Sequence, residues 1–466
     1  MLHRDLWGER KREELLASLD AADFDSLYTE ATPTAENRFS FRPGEVAGAY
    51  ARWPQVPELA AVPPFNGLME KRGGALIDDD RAALAARMRA YFDPQRSWED
   101  VKPLIGELGR NAARYPAAAT RAKLLDCRTF AETAIYRYHL RPFDLRYAYA
   151  TPDRPLWNEP RPELLRQLRT AGGFLATRPA AVARPEGVPI TWTTALGDND
   201  ALRGHAYYSP LLILDGENVR ANLSLAARAW LAALGLPDPD ADRDTAFLPW
   251  LHALAIGYSP AWLTENEHGI RQDWPRIPLP GSADLLRASA TLGRRVADLL
   301  DPDTPVPGVT EGTINPALRA IAVPTKRGGG TMGDADRALT AGWGHAGKGG
   351  AVMPGRGRTV PRDYAADEAD TAAHAALLGA RTLDVFLNDS AYWRNMPEHV
   401  WSFTIGGYQV LKKWLSYREK PLLGRALTPA EVRYVRDTAR RLAALRLLGP
   451  DLDTNYRACA ASHRPL

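Results

Sequence analysis

Cysteine is nearly missing from this chain. The two present, Cys127 and Cys459, lie far apart and have no paired histidines beside them, which argues against a disulfide framework and against a zinc site. Long apolar runs are missing as well. No stretch approaches the roughly 20 apolar residues that a bilayer-spanning helix needs, and the opening MLHRDLWGERKREELL carries both charge signs without an apolar centre. No membrane association is expected, and the expected location is the cytoplasm. A strong charge imbalance is also lacking: 59 Lys and Arg stand against 56 Asp and Glu, a net charge of +3. Any basic surface must therefore come from local clustering. None of the nine histidines pairs at metal spacing or completes a nucleophilic triad, so no metal site and no catalytic residue is expected.

Several motifs come close and fail at the residue that matters. Gly342 to Gly349, GWGHAGKG, is one residue from a phosphate-binding P-loop, but Gly349 stands where Ser or Thr would hold magnesium, and ALTA rather than a buried strand precedes it. Asp238, Asp240, Asp242 and Asp244 have the alternation of a calcium loop, yet Arg243 occupies the glycine position and Pro249 the position of the bidentate Glu. Val62, Pro63, Pro64 and Phe65 resemble the (N/D)PP(Y/F) motif of amino-methylating enzymes. That chemistry needs an Asn or Asp to accept a hydrogen bond from the target amine, which Val62 cannot do. No glycine-rich loop follows a buried strand and leads into a helix with a later acid for a ribose, so no S-adenosylmethionine site, and no cofactor in this chain, is expected. Together these failures describe a binding protein rather than a complete enzyme.

What is there is ordinary globular material: 466 residues, 45% apolar and 25% charged, enough for roughly three domains with their own cores. Residues 1–134 read as an N-terminal helical and linking region, with a charged helical start, a loop with a short aromatic strand in TEATPTAENRFSFRPGE, and a helix from Asp78 to about Phe92 on which Leu84, Met88 and Tyr91 recur at helical spacing. Residues 135–324 read as the first part of a second region, and positive charge concentrates in its opening block, Tyr136 to Arg178, where IYRYHLRPFDLRYAY alternates aromatic and basic residues. YYSPLLIL, 207–214, reads as one short buried strand, and helices are expected at 223–234, around Trp250, Leu254 and Ile256, and over Ala283 to Leu300. Residues 325–350 are rich in glycine and read as a loop or linker. Residues 351–466 form the last domain. It ends in a helix opened by the capping box Thr428, Pro429, Ala430 and Glu431. Val432, Val435, Ala439, Leu442 and Ala443 give that helix its apolar face, and Arg433, Arg436 and Arg440 a stripe expected to be solvated.

The densest local signal is Val400 to Glu419, VWSFTIGGYQVLKKWLSYRE. Trp401, Phe403 and Ile405 alternate as in a half-buried strand, and Gly406 and Gly407 supply a turn. Val410, Leu411, Trp414 and Leu415 then share one helical face, leaving Gln409, Lys412, Lys413 and Ser416 on the others. A helix starting after a glycine pair offers free N–H groups to an anion such as a phosphate. Lysines that are merely solvated are the plain alternative.

This stretch, together with the preceding TLDVFLNDSAYWRNMPEHVW and the following LGRALTPAEV, resembles the C-terminal specificity domain of type ISP restriction-modification enzymes and related adenine-specific DNA methyltransferases. LRPFDLRYAY, Leu140 to Tyr149, is similar to the family's YRPFD-x-R segment, IRQDWPRIPLPG to its PRIP segment, and HRDLWGERKREEL to the passage that follows the methyltransferase core in complete members. The resemblance implies a mixed α/β (α+β) fold, a multi-part target-recognition region that grips double-stranded DNA. It also implies catalysis on a separate methyltransferase chain, which would carry S-adenosylmethionine, flip one adenine and methylate N6. Under that resemblance the candidate DNA contacts are Arg141, Arg146, Arg178, Lys412, Lys413 and Arg418, since Arg and Lys suit phosphates and guanine edges. Gln409 and Asn395 are candidates to read adenine edges or to cap backbone groups. Asp144 is expected to orient Arg141 or Arg146. Two alternatives stay open: structural ion pairs inside the domain, and a protein-interaction scaffold or orphan fragment that has lost DNA binding.

Overall fold

The computed structural model describes residues 1–6, 10–34, 39, 41, 46–112, 115–347 and 352–466. Trp7, Gly8 and Glu9 of the N-terminal motif, most of the expected aromatic strand near residue 40, and Lys348 and Gly349 of the near P-loop lie outside the described residues. The architecture is a mixed α/β one: helices alternate with three four-stranded sheets and several two-stranded hairpins. One continuous apolar core joins Tyr50 near the start to Cys459 near the end. Among the described residues, no helix is long and apolar enough to cross a membrane.

Helices begin where their caps say they should. Asp80 accepts from the N–H of Ala82 and Ala83 and starts Arg81–Tyr91, which buries Leu84, Met88 and Tyr91. Ser224 caps Leu225–Ala233, Ser282 caps Ala283–Leu300, and Asp242 of the acidic run caps Arg243–Gly257. Thr428 accepts from the N–H of Glu431 while the Glu431 carboxylate accepts from that of Thr428, and Pro429–Leu447 follows. Such reciprocal caps satisfy groups that a helix end otherwise leaves unpaired.

Four local expectations need correction. YYSPLLIL is two strands, Tyr207–Pro210 and Leu212–Asp215, in different sheets. The break falls at Leu211, whose N–H donates to Gly173 while that of Leu212 donates to Ala171. The 325–350 stretch starts inside a strand, Val323–Lys326, on the edge of the sheet formed with Ala391–Pro397, Thr382–Phe386 and Thr359–Arg362. Its Leu339 and Trp343 are fully buried, and Trp343 donates from the indole to Phe386, so the part around these two residues is anchored in the core. The Arg440 of the expected solvated stripe is buried, donating to the carbonyls of Leu318 and Arg319. Its neighbour Arg441 does the same for Asp298 and Leu299 at the end of Ala283–Leu300. Unpaired carbonyls at helix ends draw guanidinium donors inward, which periodicity alone does not reveal.

The fourth correction concerns Val400 to Glu419. Trp401 closes a short helix, Glu398–Trp401, and the strand is only Thr404–Ile405. The glycine pair, at φ 52° and 80°, turns that strand into a second one, Tyr408–Gln409. Positive φ at both central residues is what a tight hairpin turn demands and what glycine permits. The helix Val410–Ser416 starts after the hairpin, and its first N–H already donates to Phe403. That first N–H is therefore not free for an anion.

Candidate nucleic-acid interface

Two distant motifs converge here. LRPFDLR forms the tip of the hairpin Ile135–Arg141 and Asp144–Tyr149, with Phe143 at φ 59° and Arg141 paired to Asp144 across the turn. Tyr434 of the helix Pro429–Leu447 donates to the Phe143 carbonyl and holds the tip. Against it lies the segment Tyr408 to Arg418. That segment is anchored behind by its glycine turn: the N–H of Gly406 donates to Val188, that of Gly407 to Glu186, and Arg203 donates from its backbone to Gly406. A Cβ at Gly406 would stand 2.3 Å from Leu202 and one at Gly407 2.6 Å from Ala183, so only glycine lets the hairpin approach so closely. At the other end, the Glu419 carboxylate accepts from the N–H groups of Gly342 and Trp343.

Four of the candidate residues, Arg141, Arg146, Lys413 and Arg418, meet at this junction. Asp144, enclosed at 1% side-chain exposure, accepts from Arg146 at 3.1 and 3.2 Å and from Arg418 at 2.9 Å. Asp79 bridges the same two guanidiniums at 3.3 and 3.0 Å. Burial pushes the Asp144 carboxyl up, but Arg146 and Arg418 outweigh it and hold it well below the usual carboxylate range. Arg141 turns the other way. It donates to Asp198 at 2.8 Å, and the same carboxylate accepts from the Tyr138 hydroxyl at 2.7 Å. Asp144 thus orients Arg146, as one of the two expectations had it, and joins it to Arg418 rather than to Arg141.

Tyrosine rings fill the remaining faces. The Arg146 guanidinium lies 5.0 Å from the Tyr417 ring centre, and the Lys413 ammonium lies 4.3 Å from Tyr417 and 5.7 Å from Tyr408. Arg141 and Arg203 lie 5.3 and 5.4 Å from Tyr408. Lys413 makes no ion pair among the described residues. Its pKa falls to about 8, first through burial and then through the charge of Arg141. A cleft of about 580 Å³ opens beside Arg141, Arg146 and Tyr417, also lined by Glu70, Lys71 and Asp198.

The other candidates are placed differently. Lys412 is half-buried on the same helix. Gln409 donates its side-chain amide to the Trp401 carbonyl at 2.7 Å, and Asn395 donates to Ala320 at 3.2 Å, the capping role left open for both. Arg178 sits apart at 0% side-chain exposure, gripping Glu186 with two nitrogens and donating to the Asp273 carbonyl. Because the Glu186 carbonyl receives the N–H of Gly407, Arg178 supports the glycine hairpin from behind. Sequence reasoning missed Arg203, Tyr408, Asp79 and Asp198. Tyr408 could have been found from the aromatic and basic interleaving of its stretch, whereas Arg203 in ALRGH carries no local signal.

A family model, the type ISP C-terminal specificity domain, matches residues 65–442. No curated protein matches by sequence. Among solved structures, the chain is similar to a nuclease-deletion mutant of the type ISP restriction-modification enzyme LlaGI in complex with a DNA substrate mimic, with TM-score 0.53 and 12% identity over 92% of this chain and 36% of that one. It is also similar to the ATP-dependent type ISP enzyme LlaBIII bound to DNA, with TM-score 0.53, 11% identity, and 93% and 26% coverage. A DrdV–DNA complex gives TM-score 0.56 and 15% identity over 96% of this chain and 42% of that one. The chain thus spans well under half the length of each of these structures. With the family model covering most of the sequence, including both motifs that meet at Asp144, the chain belongs to the type ISP C-terminal specificity domain family.

Proposed function

We propose that this chain recognises a DNA target for a restriction-modification system of the type ISP kind, gripping double-stranded DNA with the face formed by LRPFDLR and Tyr408 to Arg418. Catalysis falls to an adenine methyltransferase core outside these 466 residues, a separate methyltransferase chain that binds S-adenosylmethionine. The observation that carries the proposal is the meeting of the two family motifs at one junction, where carboxylates fix Arg141, Arg146 and Arg418 as a framework and leave Lys413 among the rings of Tyr408 and Tyr417, next to a cleft. Cations placed among aromatic rings suit phosphates and base faces alike. The similar structures are DNA complexes, which agrees with this assignment.

The test is titration of duplex DNA at low and moderate salt, alongside methyl transfer and S-adenosylmethionine binding by the purified chain. Expected are a steep salt dependence, no methyl transfer and no tight cofactor binding. Methylation by the chain alone would sink the dependence on a partner. Failure to bind any duplex, with or without a methyltransferase, would favour an interaction scaffold that kept the fold and lost DNA.

A further inference from the structure

Resting on that assignment, we infer that Arg203 and Lys413, held against the ring of Tyr408, form a seat for one backbone phosphate of the DNA. The charges at the junction lead there. Three carboxylates stand among its cations, and each is taken: Asp198 by Arg141, and Asp144 and Asp79 by Arg146 and Arg418. Arg203 and Lys413 have no ion-pair partner among the described residues; both lie over the Tyr408 ring, at 5.4 and 5.7 Å, and Lys413 also lies 4.3 Å from Tyr417.

A ring face stabilises a cation less than a carboxylate does, so both groups keep most of their capacity for an anion. Their placement is firm. The Arg203 backbone is tied to Gly406 at 2.9 Å, its side chain runs exposed past Gly407, and Lys413 stands between Tyr408 and Tyr417 on the helix Val410–Ser416. A fork of N–H donors and a point charge on one ring match the oxygens of a phosphodiester. The burial and the neighbouring Arg141 charge that lower the Lys413 pKa are offset by the negative charge of a bound phosphate, so the ammonium holds its proton more tightly in the complex. The groups facing Lys413 are Arg141, Arg146 and Asp144 from the LRPFDLR hairpin, Arg203 from the loop that leads to the strand Tyr207–Pro210, and Tyr408 and Tyr417 from its own segment.

The experiment is binding of a panel of short duplexes of unrelated sequence by the full chain over a range of salt, for wild type, Arg203→Met, Lys413→Met, the double variant and Lys413→Arg. A phosphate contact predicts weakening by about tenfold that is uniform across sequences, with the salt slope of the double variant reduced by about one. Wild-type affinity should fall between pH 7 and 9, and Lys413→Arg should keep the affinity and lose that pH dependence. If wild type binds DNA and the double variant binds with unchanged affinity and slope, the seat is refuted while DNA recognition stands. Weakening confined to one sequence would assign the pair to a base edge and overturn the phosphate. If wild type binds no duplex, both the seat and the recognition role fall. Thermal unfolding midpoints equal to wild type separate loss of contact from loss of fold.

Discussion

Around Asp144, two arginines are gripped by a buried and a half-buried carboxylate; around Tyr408, an arginine and a lysine rest on a ring without an ion-pair partner among the described residues. Arg146, Lys413 and Arg418 look alike in the sequence, as basic residues in two aromatic-rich motifs, whereas Arg203 lies in neither. The difference lies in what each has already been paired with. Arg146 and Arg418 spend their donors on Asp144 and Asp79 and so hold two distant segments together. Arg203 and Lys413 keep theirs. A positive side chain near a cleft is therefore a poor guide to a ligand until its acid partners are known.

The sharpest way to break the comparison is to remove the buried acid. Asp144→Asn leaves two enclosed guanidiniums without their shared charge and is expected to destabilise by about 3–5 kcal/mol, read as a lowered urea midpoint. Arg178→Met, which strands Glu186 behind the glycine hairpin, should cost a similar ~3–5 kcal/mol. If either variant is as stable as wild type, the framework role is wrong.

Acid should act on the framework before it acts on the ring-borne cations. His139 and His252 are buried, and burial, helped at His139 by Arg141, lowers each pKa from 6.5 to about 4. His252 is placed to donate to the Pro278 carbonyl and accept from the Ser289 hydroxyl, which fits a neutral ring. The unfolded chain takes these protons below pH 6.5 and the folded chain only near pH 4. Stability is therefore full above 6.5 and falls between 6.5 and 4, by up to ~3 kcal/mol per histidine. Asp144, held low, contributes stability above the ordinary carboxylate value near ~4 and loses it as pH drops further. Unfolding free energies measured at pH 7, 5.5 and 4.5 should decline stepwise; a flat profile would refute the neutral buried histidines. In contrast, DNA binding is expected to weaken on the alkaline side, where Lys413 gives up its proton.

Smaller effects sharpen the boundary between the two groups. Gln409→Ala removes the hydrogen bond to Trp401 and should cost about 1 kcal/mol of stability without altering which sequence is bound. A change of sequence preference would restore Gln409 as a base reader. Lys412→Met should leave stability within about 0.5 kcal/mol and weaken binding only a few-fold, less than Lys413→Met, since among the described residues no ring holds it. Equal losses from both lysines would show that general surface charge, not the Tyr408 seat, carries the affinity.

Much of the fold was legible because its signals are short-range. The capping box at Thr428 and Glu431, the cap at Asp80 and the apolar face of Pro429–Leu447 each act within a turn or two of helix, so spacing in the sequence encodes them directly. The glycine pair announced a turn, and the turn is there. What it joins, a second short strand rather than the helix, depends on the 183–203 segment that it packs against. The split of YYSPLLIL and the inward course of Arg440 have the same origin, since both answer to carbonyls far away in the chain.

The sequence by itself determined the family motifs, the capped helices and four of the basic residues at the site, Arg141, Arg146, Lys413 and Arg418. Only the tertiary structure decided which of those residues are partners and which are free. Arg418 reaches Asp144 across 274 positions and Asp79 across 339, and Arg203, without any motif, is brought to Tyr408. Pairing at that distance is set by how sheets and helices pack, and a charge buried by packing must find its counter-charge there. A residue's neighbours along the chain specify its conformation; its neighbours across the fold specify whether its charge is left over for DNA.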